Sequence, residues 1–174
     1  MYSGYQGDCN IAILVIKFSL MPDLHSLESF FMFMGKHQNS IDAKSRMIIP
    51  SKFRDELGLR CVLTKGMDKC LYIYSMQDWA HFMERLAGLP TTDINSRQFM
   101  RHFYANANEC EIDKQGRIMI SQDLREYAGI EKELVTVGVM DKIEVWSKEE
   151  WNTAETGAEL PPSEMAQRMT EYGI

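Results

Sequence analysis

The sequence predicts an α+β fold in which one short unit, β-α-β-β-α, is written twice and the two copies close a single core about a pseudo-twofold axis. Three observations lead there. Asp42-Ala-Lys-Ser-Arg46 and Asp113-Lys-Gln-Gly-Arg117 repeat the pattern Asp-x-x-x-Arg at a separation of 71 residues, and Ile41, Ile49, Arg54 and Gly58 meet Ile112, Ile120, Arg125 and Gly129 at the same offset. One added residue near Glu131 to Glu133 moves the offset to 72, which aligns Thr64, Gly66, Ser75 and Trp79 with Thr136, Gly138, Ser147 and Trp151. Each copy then runs through the same succession of strand-like and helix-like segments. A sheet of three short strands cannot cover both of its faces, so interleaving of the two copies is the natural closure. A solenoid is excluded, because its period would be ~20–50 residues with several copies.

The elements follow in order. Ile11 to Ile16 is apolar, but Lys17 and Pro22 interrupt it well short of the ~20 residues that a membrane span needs. Asp8 stands where a signal peptide would be basic, and no small-residue cleavage site follows. Residues 1–33 therefore read as an extension outside the core, or as the product of an upstream start. The first domain is expected over 34–90, a linker helix over 91–104, the second domain over 105–152 and a tail over 153–174.

Within each domain, Arg46-Met-Ile-Ile-Pro50 and Arg117-Ile-Met-Ile-Ser121 suit buried strands. Short helices follow over Ser51 to Leu57 and Gln122 to Ala128, closed by Gly58 and Gly129, with Pro50 at a first helical position and Ser121 as an N-cap. Cys61–Lys65 with Cys70–Tyr74, and Leu134–Gly138 with Lys142–Trp146, read as hairpins. Ser75-Met-Gln-Asp78 and Ser147-Lys-Glu-Glu150 open second helices that carry Trp79 and Trp151. Thr92 to Tyr104 is an amphipathic linker helix with Ile94, Phe99, Phe103 and Tyr104 as its apolar residues, and Glu164 to Tyr172 a short terminal helix.

Composition is that of an ordinary folded protein, 45% hydrophobic and 25% charged. Cys9, Cys61, Cys70 and Cys110 show no C-x-x-C pair and read as reduced, packed thiols. The net charge of −6 hides a division: residues 34–90 hold nine Lys or Arg against six Asp or Glu, and residues 91–174 nine against sixteen. Lys36, Lys44, Arg46, Lys52 and Arg54 fall within nineteen residues, on or beside the first Asp-x-x-x-Arg loop. Such a run is often only a solvated face. Its coincidence with the repeated Arg points to a polyanion.

In an isolated Asp-x-x-x-Arg the Asp can simply fix a turn and the Arg be solvated. Here the acid and the base recur while the residues between them differ, and a turn needs only the Asp. Asp42 and Asp113 are thus expected to shape their loops, with Arg46 and Arg117 retained for a ligand or a partner. A catalytic carboxylate pair does not fit, since neighbouring cations hold both acids ionised. No metal-ligand spacing, nucleophile motif or phosphate-cradling loop is present, which predicts no enzyme, no cofactor and no small-molecule substrate.

At these residues the chain resembles a known family. Met34-Gly, Ile41 to Pro50, Phe53-Arg, Leu63-Thr-Lys-Gly-Met-Asp-Lys-Cys-Leu71, Cys110 to Ile118, Leu124 to Gly129 and Trp146-Ser-Lys are similar to the MraZ family of bacterial transcription regulators, over about residues 32–152. The resemblance implies tandem AbrB-like (SpoVT-AbrB) domains in a double-split β-α-β barrel and ring-shaped homo-oligomers. It also implies binding to double-stranded DNA repeats upstream of the division and cell-wall gene cluster, in the cytoplasm at the nucleoid. Arg46 is carried over as the DNA-contacting Arg, with Lys36, Lys44, Lys52 and Arg54 on phosphates and Asp42 aiming the loop. Arg117 is expected to pair mainly with carboxylates. Two departures stand out: Ser45 where the family has glycine and Ser121 where it has proline. The alternatives are an AbrB-like antitoxin or global regulator, which carries one such domain per chain, and, last, a carboxylate-dependent hydrolase.

Overall fold

The computed structural model describes residues 32–157 and 162–170. Expectations about residues 1–31, and about the end of the terminal helix at Tyr172, lie outside the described residues. The elements are β1 (Phe33–Ser40), β2 (Arg46–Ile48), α1 (Ser51–Leu57), β3 (Arg60–Lys65), β4 (Leu71–Ser75), α2 (Met76–Ala87) and α3 (Ile94–Tyr104), then β5 (Asn108–Glu111), β6 (Arg117–Met119), α4 (Gln122–Tyr127), β7 (Glu133–Met140), β8 (Lys142–Ser147), α5 (Lys148–Thr156) and α6 (Pro162–Met169).

The repeated unit is therefore β-β-α-β-β-α, one strand longer than the sequence predicts. The added strands, β1 and β5, are polar and carry residues such as Gly35, Asn39, Ser40 and Asn108, so neither composition nor alternation marks them. They are the two edges of the main sheet, whose order is β1-β7-β8-β4-β3-β5. An edge strand can stay polar because its identity is set by the neighbour that hydrogen-bonds it. Phe33, which the sequence places in the extension, belongs to β1 and is buried in the core.

The pairing shows how the copies interleave. β1 of the first copy pairs with β7 of the second, and β5 of the second with β3 of the first. At the centre, β4 and β8 run antiparallel with Tyr72 opposite Glu144, its own counterpart at the offset of 72. The separate ribbon of β2 and β6 sets Met47 opposite Ile118, its counterpart at the offset of 71. A residue that faces its own counterpart across antiparallel strands lies on a local twofold, and both pairs do.

One core follows from this exchange. Met47, Ile49, Phe53, Leu63 and Ile73 of the first copy pack with Ile118, Ile120, Leu124, Leu134 and Ile143 of the second. A second cluster on the other face of the sheet gathers Tyr72, Tyr74, Trp146, Leu86 from α2 and Phe103 from α3. The linker helix thus packs as well as connects, though Phe103 alone of its four expected apolar residues is buried. Thr64 Oγ1 donates to the Phe103 carbonyl at 3.2 Å and holds it there.

Local signals mostly hold. Ser75 and Ser147 accept the amide protons of Asp78 and Glu150, and α1 and α4 are followed by Gly58 and Gly129 at φ 72° and 62°. Pro50 is the N-cap of α1, at φ −52° and ψ 136°, not its first helical residue. The extended ψ leaves the helix to begin at Ser51. Cys61 and Cys70 are buried free thiols, and burial pushes each up to about 12, well away from reactive thiolate.

Candidate nucleic-acid interface

Each Asp-x-x-x-Arg motif forms a closed turn. Asp42 Oδ1 accepts the amide protons of Lys44 at 2.8 Å and Arg46 at 3.0 Å, and Asp42 N donates to the Arg46 carbonyl at 2.9 Å. That use of one carboxylate oxygen is the expected turn role. The other oxygen, Oδ2, takes Arg46 Nε at 2.8 Å and Nη2 at 2.6 Å. The second copy reproduces the set: Asp113 Oδ1 accepts from Gln115 N and Arg117 N at 2.9 and 3.0 Å, and Oδ2 from Arg117 Nε and Nη2 at 2.9 and 2.7 Å.

The expectation assigns the Asp to the turn and the Arg to a partner; the structure adds a contact between them, each Arg being paired with its own Asp. The pairing holds the Asp42 carboxyl down at about 2, chiefly through the Arg46 side chain, and lowers that of Asp113 through Arg117. Both acids stay ionised near neutrality.

The ribbon β2–β6 joins the two loops. The Ile49 amide donates to the Gly116 carbonyl at 2.8 Å and the Ile120 amide to the Ser45 carbonyl at 2.9 Å, so each loop is anchored by the opposite copy. Arg117 Nη1 also reaches Asp42 Oδ2 at 3.8 Å. Arg46 and Arg117 share the outer face of the ribbon, and the exposed Lys44 and Lys114 lie in the loops at its two ends. The side chains of Arg46 and Arg117 are 29% and 21% exposed, held at the surface instead of waving from it.

The other cations that the sequence groups here disperse. Lys36 turns to α5, where Nζ lies 2.6 Å from Glu155 and 5.1 Å from the Trp151 ring centroid, and so leaves the loop face. β1 alternates its side chains between faces, and position 36 falls on the wrong one. The Lys52 ammonium lies over Gly35, 3.7 Å from where a β-carbon would stand. Arg54 crosses to the second loop, with its guanidinium against Gly116. Counting charge along the chain therefore overstates the first copy. Lys114, which that count leaves out of the site, stands exposed in the second loop, and the duplication of the loop is the signal for it.

At one point the loops share a backbone conformation while differing in residue. Gly116 has φ 75°, and Ser45, its counterpart, adopts φ 59° itself. The missing glycine leaves the turn intact and places a side chain in the left-handed region.

Comparison with known proteins agrees with this duplicated architecture. A family model described as "MraZ protein, putative antitoxin-like" matches twice in tandem, over residues 32–102 and 103–172. A protein of Caldicellulosiruptor bescii named transcriptional regulator MraZ is 50% identical over 143 residues, covering 82% of this chain and 100% of that protein. Proteins of the same name from Acetivibrio thermocellus and Clostridium tetani are each 48% identical over 143 residues, with the same coverage.

Proposed function

This chain belongs to the MraZ family of transcriptional regulators, which are not enzymes, and on that premise we propose that it binds double-stranded DNA sequence-specifically through the face bearing its two Asp-x-x-x-Arg loops. The observation that carries the reading is the joining of both loops on one ribbon, with Arg117 reaching Asp42 at 3.8 Å. Two guanidiniums fixed in this way have already lost much of the rotamer freedom that binding would otherwise take. Asp42 and Asp113 occupy Nε and Nη2 of each fork. The remaining N–H groups suit guanine O6 and N7 or a phosphate. Lys44 and Lys114 flank them as phosphate contacts that fix register. Arg54 braces the second loop.

The targets are short repeated boxes upstream of the division and cell-wall gene cluster, the chain's own gene included, met at the nucleoid in the cytoplasm. The interleaved sheet is read as a double-split β-α-β barrel. One ribbon per chain is a small footprint, so useful affinity comes from several protomers of a ring engaging successive boxes at high effective concentration. Duplexes with one, two and three boxes, compared across a salt series, test this. Affinity should rise steeply with box number, and the slope of log affinity against log salt should steepen by roughly 0.9 for each phosphate neutralised. Equal affinity and slope for all three duplexes would remove the ring from recognition, and absence of binding would remove the DNA-binding reading itself.

A further inference from the structure

The ribbon presents more than its arginines. β2 and β6 turn Met47 and Ile118 inward, where they are 0% and 1% exposed, and Ile48 and Met119 outward, where they are 53% and 65% exposed. Both runs read in the sequence as buried strands, but a ribbon of three-residue strands covers the core with one face only. Arg46 stands opposite Met119, and Ile48 opposite Arg117. Each guanidinium therefore has a large apolar side chain directly across the ribbon and another two residues away on its own strand. Neither apolar residue belongs to the core.

We propose that Ile48 and Met119 read the C5-methyl groups of thymines in the major groove, as the apolar half of a recognition surface whose polar half is Arg46 and Arg117. The inference rests on the DNA-binding reading above and deepens it. A two-stranded ribbon fits the ~12 Å major groove, and the thymine methyl is the apolar feature that groove presents. Outward residues on one strand are separated by about 6.8 Å, two steps of a ~3.4 Å rise, which matches the spacing of two base-pair steps. The occupant is DNA and not a second copy of this face, because the ribbon and its loops are net positive, with Lys44, Lys114, Arg46 and Arg117 against Asp42 and Asp113. A second copy would set like charges against them, whereas phosphates complement them. The counterparts also differ in kind. Ile48 is stiff at χ1 and Met119 is adaptable, so the half-site under Ile48 is read more strictly than the half-site under Met119.

The test uses the full chain and a duplex amplified from the region upstream of its own gene, once with dTTP and once with dUTP. Uracil keeps the O4 acceptor and lacks only the methyl. Wild-type protein should bind the uracil duplex more weakly, by roughly fourfold for each methyl group that it no longer meets. The double variant Ile48→Ala, Met119→Ala should bind the thymine duplex about as weakly and be indifferent to the change. Ile48→Gln and Met119→Gln, which place polar groups at these exposed strand positions, repeat the comparison should the double variant fold poorly. Equal wild-type binding to both duplexes overturns the inference and leaves the DNA-binding reading standing. Equal sensitivity of wild type and variants overturns it too, since the effect then lies in the DNA or in other residues. Binding to neither duplex overturns both.

Discussion

The two Asp-x-x-x-Arg loops are one design executed twice with different residues. In both, one carboxylate oxygen closes the turn and the other grips the following Arg at 2.6 to 2.9 Å. Between them stand Ala-Lys-Ser in the first loop and Lys-Gln-Gly in the second. The second loop takes its left-handed residue as glycine, with Arg54 of the opposite copy against it, and the first takes it as serine. Divergence within one chain thus preserved the ion pair and the anchoring across the ribbon. The means by which the turn is made were free to change, and with them the cations on its tip.

The largest expected effect tests whether the two copies are energetically one body. Met47 and Ile118 face each other on the pseudo-twofold, both fully buried in the shared core. Met47→Ala or Ile118→Ala should each lower unfolding free energy by about 2–5 kcal/mol. Unfolding should remain a single transition for either variant, monitored by circular dichroism and by tryptophan fluorescence together. Two separated transitions would show that the copies unfold as independent domains, which the exchange of β1 and β5 argues against.

Next comes the function of the paired arginines. Arg46→Ala and Arg117→Ala should weaken DNA binding by comparable amounts, of order 1–3 kcal/mol if each makes a bidentate base contact. The sequence alone leads to a different expectation, a dominant Arg46, because the basic excess lies in residues 34–90. Lys36→Ala should leave affinity within about twofold, since that ammonium lies against Glu155 and Trp151. A dominant Arg46, or a strong effect of Lys36, would restore the asymmetric reading.

Those two outcomes measure what the sequence could disclose. The duplication, the hairpins, the Ser75 and Ser147 caps and the Asp42 and Asp113 turns are legible because each depends on residues close together in the chain. β1 and β5 are not, because an edge strand of Gly, Asn and Ser is defined by its partner. The departure of Lys36 from the site is equally hidden: it follows from the face on which β1 pairs with β7, a fact of register. Lys114 and Met119 come into the site through the twofold, which no count of charge along the chain can show.

The ion pair also sets a pH dependence. The Asp42 carboxyl is held at about 2 in the folded chain against an ordinary 3.8, chiefly by the Arg46 side chain. A depressed carboxylate stabilises the fold fully above its unfolded value, and that contribution disappears as pH falls from about 4 toward 2. Carboxyl chemical shifts should give a midpoint for Asp42 near 2, with Asp113 also below the usual range, and Arg46→Ala should return Asp42 toward 3.8. A wild-type midpoint near 3.8 would mean that the pair does not persist in solution.

The smallest effects sharpen the contrast at the left-handed position, which the loops share in conformation and fill with different residues. Gly116→Ser puts a β-carbon at φ 75° and 2.6 Å from Arg54 Nη1. The Arg54 side chain, its Cδ at 2.8 Å as well as its guanidinium, must shift to make room, and the backbone contributes about 0.5–1 kcal/mol of destabilisation, a left-handed penalty of about 1–2 kcal/mol less an unfolded-state entropy term of about 0.5–1 kcal/mol. Ser45→Gly is the reverse change at φ 59°. It removes a left-handed penalty of about 1–2 kcal/mol and adds an unfolded-state entropy cost of about 0.5–1 kcal/mol, for a net gain of roughly 0.5–1 kcal/mol. Chemical denaturation at unchanged slope should resolve both, since a shifted midpoint then reports stability alone. If Ser45→Gly stabilises the fold while DNA affinity is unchanged, serine is a tolerated divergence in a loop whose work is done by Asp42 and Arg46. If it stabilises the fold and weakens binding, the restricted serine backbone keeps Arg46 at its angle, and the two loops differ in rigidity as well as in residue.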